Sequence, residues 1–196
     1  MDTKKTLCRI GQKMKEAGLV AACDGNISFR RDDGTVVITP SGVPKGELTP
    51  KHLLVVDLDG HVLEGTGKAS SESALHLEIY RKRNDVRAII HAHPVTATAL
   101  TVAGIPFRPD IVTEGALVLG PVPTVPYAPP GSAELATACA EAAEGADVFL
   151  MERHGAATVG RDLEQAFYRL ETLETVAKMY RDSLIFAATS SQQKNN

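Results

Sequence analysis

The chain has 196 residues, 43% hydrophobic and 23% charged, with a formal net charge of -3. That length suits one domain with a sizeable core. The charge balance argues against nucleic acid or an anionic membrane surface as partner. No apolar run approaches transmembrane length, Met1-Asp2-Thr3-Lys4-Lys5 does not read as a signal sequence, and Cys8, Cys23 and Cys139 form no C-x-x-C pair; the expectation is a single cytoplasmic domain with reduced thiols, neither a disulfide scaffold nor a zinc finger.

Leu7, Ile10, Met14 and Ala17 recur at helical spacing and Gly18 offers a stop, which predicts an amphipathic helix over 3–17. Strands at 26–31 and 35–39 flank the turn Asp32-Asp33-Gly34, and a second hairpin over 53–58 and 61–63 turns at Asp59-Gly60. The stretch from Gly65 to Glu72 opens a helix that runs to about Asn84. Helix starts present free N–H groups and a positive dipole end, so Ser70 and Ser71 could serve a phosphate, or simply cap. Three small loops (24–28, 39–42 and 65–71) could together cradle one anion, although each alone is a weak signal.

Ala88-Ile89-Ile90-His91-Ala92-His93-Pro94 reads as a buried strand that proline closes. Side chains alternate along a strand, so His91 and His93 share a face. A helix over 95–103 follows, then a region rich in proline and glycine with strand-like pieces at 116–119 and 124–127. A helix over 133–143 leads to a second apolar strand, which begins at Asp147 and ends in Arg153-His154-Gly155. A long helix over 162–187 closes the domain (residues 1–189), and 190–196 reads as a disordered polar tail. Early hairpins and later interleaved helices argue for an α/β fold in which a mixed sheet is covered by helices.

A lone His-x-His is more often one core histidine beside a surface one, and a histidine before Gly155 can be a plain turn residue. The matching strand-end placement of His91, His93 and His154 favours a shared site. Three histidines with one exchangeable position describe a catalytic zinc centre rather than a closed structural one. Glu72, at a helix start, is the available carboxylate; His52, His61 and His76 lack such a setting, and His76 could be a simple i,i+4 partner of Glu72. A cupin-type site would want a glutamate soon after the pair, where Pro94-Val95-Thr96-Ala97 has none, and a (β/α)₈ metallohydrolase needs a longer chain.

The set Gly25-Asn26-x-Ser28, Thr39-Pro40-Ser41-Gly42, Ser70-Ser71-Glu72, His91-x-His93 and Arg153-His154-Gly155 resembles the class II aldolase and adducin-head family. The motifs stand in family order and span nearly the whole chain, and the similarity is greatest to the branch acting on L-fuculose 1-phosphate. The resemblance implies one α/β domain with a central, largely antiparallel sheet between helix layers, and a homotetramer with active sites between subunits. It implies Zn²⁺ on His91, His93 and His154, with Glu72 as exchangeable fourth ligand and proton-transfer base. Gly25, Asn26, Thr39, Ser41, Gly42, Ser70 and Ser71 would hold the substrate phosphate. The activity implied is reversible cleavage of a ketose 1-phosphate to dihydroxyacetone phosphate and an aldehyde.

The chain departs from that branch on the aldehyde side. Residues 110–115 contain no tyrosine, and the sequence stops soon after its last helix, where a second tyrosine is expected. Glu114 is the candidate acid for the aldehyde, and 5-deoxyribulose or methylthioribulose 1-phosphate becomes a candidate substrate. The same family offers a methylthioribulose-1-phosphate dehydratase, a pentulose-5-phosphate 4-epimerase and a non-catalytic adducin-like head as alternatives. The intact histidines disfavour the last. The epimerase branch tends to carry aspartate where this chain has Glu72.

Overall fold

The computed structural model describes residues 2–193. Its first element is α1 (Thr3–Glu16), capped by Asp2, whose carboxylate accepts from the N–H groups of Lys4 and Lys5. β1 (Asn26–Arg30), β2 (Val36–Ile38), β3 (Leu54–Val56) and β4 (Val62–Glu64) then form an antiparallel meander. α2 (Ser73–Lys82) crosses to β5 (Ala88–Ala92), and α3 (Val95–Val102) and α4 (Thr113–Leu119) lead to the short β6 (Thr124–Val125). α5 (Ala133–Gly145), the hairpin of β7 (Val148–Met151) with β8 (Gly155–Gly160), and α6 (Leu163–Gln193) complete the domain.

The eight strands form one sheet in the order β4-β3-β2-β1-β5-β8-β7-β6, antiparallel except for the β6–β7 pair. This is the expected α/β domain with a largely antiparallel mixed sheet. Ile27, Val37, Ile90, Ala92 and Leu150 point to one face and pack with α1, α3 and α6. Ile38, Leu54, Ile89, Phe149 and Val159 point to the other and pack with α2 and α5. Apart from the exposed edge strand β4, the sheet is buried on both sides, which is why β5 reads as an apolar run rather than an alternating one. No helix among the described residues is long and apolar enough to cross a membrane.

Three expectations are corrected. Residues 116–119 are the end of α4, not a strand; a short apolar run fits either period, and here Gly115 decides. A Cβ at Gly115 would sit 2.1 Å from the Pro109 carbonyl oxygen, so its absence lets this helical turn pack tightly. β8 follows His154 directly, in a stretch between Gly155 and the last helix to which the sequence assigned no element. Its Gly-Ala-Ala-Thr-Val-Gly sequence is buried throughout and is mostly glycine and alanine, with Thr158 and Val159 as its β-branched residues. Finally, α6 runs through Gln193, so 190–193 continue the helix; polar composition without glycine or proline does not stop one. Residues 194–196 lie outside the described residues.

Two buried charged residues fix the parts of this fold that bear the site. Pro94 cannot cap α3 with a side chain; the carboxylate of Glu174 on α6 instead accepts from Thr96 N–H at 3.1 and 3.0 Å and Ala97 N–H at 3.1 Å. Arg30 caps the end of α2, donating to the carbonyl of Tyr80 in its last turn and to those of Arg83, Asn84 and Val86 after it.

Candidate metal centre and active site

β5 is flanked by β1 and β8, with His91 opposite Asn26 on one side and Ala157 on the other. His91 shares the face of Ile89, towards α2, and α2 begins there with Glu72 in its N-cap position. His93 lies just past the strand end. His154 comes from the turn of the β7–β8 hairpin, where its N–H donates to Met151 O. Gly155 makes this convergence possible: a Cβ there would lie 2.4 Å from Ala92 O and 2.8 Å from His93 Cδ2.

The three imidazoles surround one point, with ring centroids 4.9, 4.9 and 5.3 Å apart. A nitrogen from each lies within 4.8 Å of the others. The His91 Nδ1–H donates to Ala156 O at 2.9 Å, which leaves His91 Nε2 with its lone pair facing the cluster. His93 Nε2 stands 3.2 Å from that lone pair, and Asp24 lies 3.6 Å behind at His93 Nδ1. Glu72 completes the set, with Oε2 at 3.0 Å from His91 Nε2 and Oε1 at 3.2 Å from His154 Nε2. Glu72 Oε1 and His154 Nδ1 are buried without a hydrogen-bond partner. Facing lone pairs with an under-used carboxylate oxygen fit a divalent cation, and three nitrogens with one carboxylate fit zinc by donor type and number.

Burial opposes the charge of Glu72, but the facing imidazoles, His91 first and then His154 and His76, outweigh it and hold the carboxyl low, at about 2. Burial first, then His91, pushes His154 down to about 4 and lowers His93 as well. The carboxylate is therefore ionised and these two rings neutral near pH 7, the state in which all three bind metal.

The three small loops do meet. Gly25, at φ +72°, packs so closely on β5 that a Cβ would be 2.7 Å from His91 O. Asn26 Nδ2 donates to Ser70 Oγ at 3.1 Å and Glu72 Oε2 at 3.3 Å. Ser41 N–H donates to Lys68 O at 2.9 Å, and Pro40 bridges to Ala69. Ser41 and Gly42 are exposed, as is Ser71, with Ser70 half-buried beside them. Thr39 is fully buried, and its hydroxyl accepts from Ile27 N–H at 3.1 Å. Ser70 and Ser71 precede α2 rather than lying within it. Glu114 stands exposed in the first turn of α4, and no hydrogen bond or ion pair among the described residues joins it to this cluster.

Sequence reasoning missed several supports. Lys45, 2% exposed, donates to Cys23 O at 3.0 Å and Val43 O at 2.8 Å, tying the loop before β1 to the loop after β2. His76 is fully buried under the site; its i,i+4 spacing from Glu72 was the available signal. The group Asp57, Asp59 and His61 also has metal-like spacing, but Asp57 Oδ1 accepts from the Asp59 and His61 N–H groups, which identifies a turn brace.

The buried rings have a consequence for stability. Burial pushes His76 down to about 3, with the charge of His91 adding. Unfolded, His76 and His154 take up protons below about 6.5, whereas folded they stay neutral to about 3 and about 4. Between those values the unfolded chain binds more protons, so stability is fully present above about 6.5 and falls as pH drops through the window. Chelator-treated protein should show its urea midpoint falling from about pH 7 to about pH 4.5 at constant m. A flat midpoint would contradict the buried neutral rings.

A helix-covered sheet that gathers three histidines, a carboxylate and three hydroxyl- and glycine-rich loops at one strand end defines the class of protein. The chain matches the model of the Class II Aldolase and Adducin N-terminal domain over residues 5–181 and belongs to that family. It is 37% identical over 177 residues to an L-fuculose phosphate aldolase of Methanocaldococcus jannaschii, covering 90% of this chain and 94% of the relative. It is 34% identical to a 3-oxo-tetronate 4-phosphate decarboxylase of Haemophilus influenzae (90% and 86% covered). A 5-deoxy-D-ribulose 1-phosphate aldolase of Bacillus thuringiensis serovar kurstaki is 35% identical (90% and 83% covered). Among solved structures, an L-fuculose 1-phosphate aldolase superposes with a TM-score of 0.88 at 35% identity, covering 94% of this chain and 87% of that one.

Proposed function

We propose that the protein is a metal-dependent aldolase that reversibly cleaves a ketose 1-phosphate to dihydroxyacetone phosphate and an aldehyde, through the enediolate of dihydroxyacetone phosphate. The observation that carries this reading is the place of Glu72. One carboxylate touches two metal-site histidines and, through Asn26, the loop of Ser70. Proton transfer, charge stabilisation and phosphate binding thus share one spot.

His91, His93 and His154 would hold a zinc-like divalent ion, with Glu72 as its exchangeable fourth ligand. Such an ion supplies Lewis-acid stabilisation of the negative charge that builds on the substrate oxygens. The residues of the chain do the rest. Ser41, Gly42, Ser70, Ser71 and Gly25 bind the phosphate through hydroxyls and backbone N–H groups, Asn26 serves that site through the Ser70 hydroxyl it holds, and Thr39 braces their loop. When the C3–C4 bond breaks, the C4 hydroxyl passes its proton to the ionised form of the group that acts as acid in the reverse direction, C4 becomes the aldehyde carbon, and the bond's electron pair stays with C3 as the enediolate. Glu72, having taken up a proton from solvent, delivers it to C3, completing dihydroxyacetone phosphate. In the synthesis direction Glu72 removes that proton, and an acid must protonate the new C4 oxygen. Glu114 is the candidate, presented from the surface to the site of a neighbouring subunit in a homotetramer.

The identity to the Haemophilus decarboxylase favours a second reading of the same machinery. Loss of CO₂ from a 3-oxo acid 4-phosphate leaves the same enediolate that C3–C4 cleavage of a ketose 1-phosphate leaves. The two readings share Glu72, the histidines and the phosphate loops, and differ in the fragment that departs.

The test is a panel: L-fuculose, 5-deoxyribulose and methylthioribulose 1-phosphates beside 3-oxo-tetronate 4-phosphate, each followed for dihydroxyacetone phosphate release. Release together with an aldehyde from at least one ketose 1-phosphate is expected. Release from the oxo acid alone, with CO₂, selects the second reading. Dehydration or epimerisation without any dihydroxyacetone phosphate would contradict both.

A further inference from the structure

Beneath the site runs a chain of buried polar groups whose hydrogen bonds have only one consistent direction. Glu72 Oε2 can only accept, and the Asn26 amide faces it at 3.3 Å, so the NH₂ side of the amide points to Glu72 and Ser70. Asn26 Oδ1 is thereby turned to His76 Nε2, in close contact. An amide oxygen can only accept, so Nε2 carries the ring hydrogen. His76 is completely buried with no carboxylate hydrogen-bonded to it, which keeps the ring neutral and leaves Nδ1 bare. Ser28 Oγ, 2.7 Å away, must then donate to Nδ1 and itself accept from the Tyr80 hydroxyl at 2.8 Å, which takes that hydroxyl's one hydrogen in preference to the Arg87 carbonyl at 3.3 Å.

The same logic runs outward from Asn26. Ser70 Oγ accepts from Asn26 Nδ2 at 3.1 Å and from Glu72 N–H at 3.3 Å. A hydroxyl has two acceptor positions and one hydrogen. Both acceptor positions are filled, so the hydrogen is left to donate outward. Reversing the chain would turn Asn26 Oδ1 against the Glu72 carboxylate, acceptor against acceptor.

We infer that His76 is a positioning residue: as the Nε2–H tautomer it locks the Asn26 amide so that Nδ2 serves Ser70 and Glu72 together and Ser70 keeps its hydroxyl hydrogen for a substrate anion. The functional half of this inference rests on the phosphate site proposed above; the tautomer stands on the geometry alone. A residue that merely filled space at 76 would leave the direction of the chain open.

Two measurements test it. In the purified protein labelled with ¹⁵N-histidine, His76, assigned by loss of its signals in His76→Gln, should show a hydrogen-bearing Nε2 and a bare Nδ1. The reverse pattern, or a ring protonated at both nitrogens near pH 7, overturns the inference. Calorimetric binding of dihydroxyacetone phosphate, with dihydroxyacetone as control, reads the consequence without turnover. His76→Leu should weaken the phosphate ester at least about tenfold and the control far less. His76→Gln, whose amide can donate to Asn26 and accept from Ser28, should recover most of the loss. In an Asn26→Ala background His76→Leu should add nothing, because its effect passes through that amide. Additive losses, or equal losses for ester and control, would reduce His76 to packing. Wild-type protein that binds no dihydroxyacetone phosphate would sink the phosphate site itself, and the nitrogen spectrum would still decide the tautomer.

Discussion

Glu72→Gln should lower turnover at least about a hundredfold while the protein stays folded and keeps its metal. The substitution preserves shape and removes the charge and basicity. Its alternative role, a carboxylate placed to favour a helix dipole, is a weak one here: Glu72 occupies the N-cap of α2 without a side-chain capping bond. Its oxygens face His91, His154 and Asn26 instead. Losing the dipole contribution would move stability by less than about 1 kcal/mol, which does not touch a rate by two orders of magnitude. Urea melts, metal analysis and steady-state rates separate the two effects. A variant with full metal and a rate within about tenfold of wild type would show that another group moves the proton.

His93→Ala and His154→Ala should each weaken metal binding at least about a hundredfold, since removing a ligand exceeds the loss seen on removing its outer partner. The two residues come from different elements, the end of β5 and the β7–β8 turn, so loss in both would locate the ion between them. Metal content after dialysis against a weak chelator is the readout. Full occupancy in either variant would remove that histidine from the ligand set. Asp24, 3.6 Å behind His93, and Ala156 O, which fixes His91, hold the outer positions.

The site was legible in the sequence where chemistry is written in residue type and spacing. His91 and His93 lie two apart on one strand, and His154 ends a second apolar run; the structure brings all three together with Glu72. The loops at Gly25, Ser41 and Ser70 were visible as small polar stretches, and their meeting follows from the order β2-β1-β5, which places the loop before β1 beside His91. The parts that stayed hidden depend on partners far away in the chain. α4 looked like a strand because four apolar residues carry no period, and only the approach of Gly115 to Pro109 distinguishes it. β8 was silent because small residues suit a strand squeezed between β5 and β7 yet have little strand preference of their own. His76 looked like an ordinary helix residue until Asn26 and Ser28 arrived from β1 to meet both ring nitrogens.

Both proposed reactions pass through one enediolate, and it forms from dihydroxyacetone phosphate without any aldehyde or CO₂. The most direct measurement is therefore proton NMR of dihydroxyacetone phosphate with the metal-loaded protein in D₂O. The expected result is stereospecific exchange of one C3 hydrogen by the wild type and none by Glu72→Gln. A wild-type protein that holds its metal and leaves both C3 hydrogens in place would contradict an enediolate-forming site.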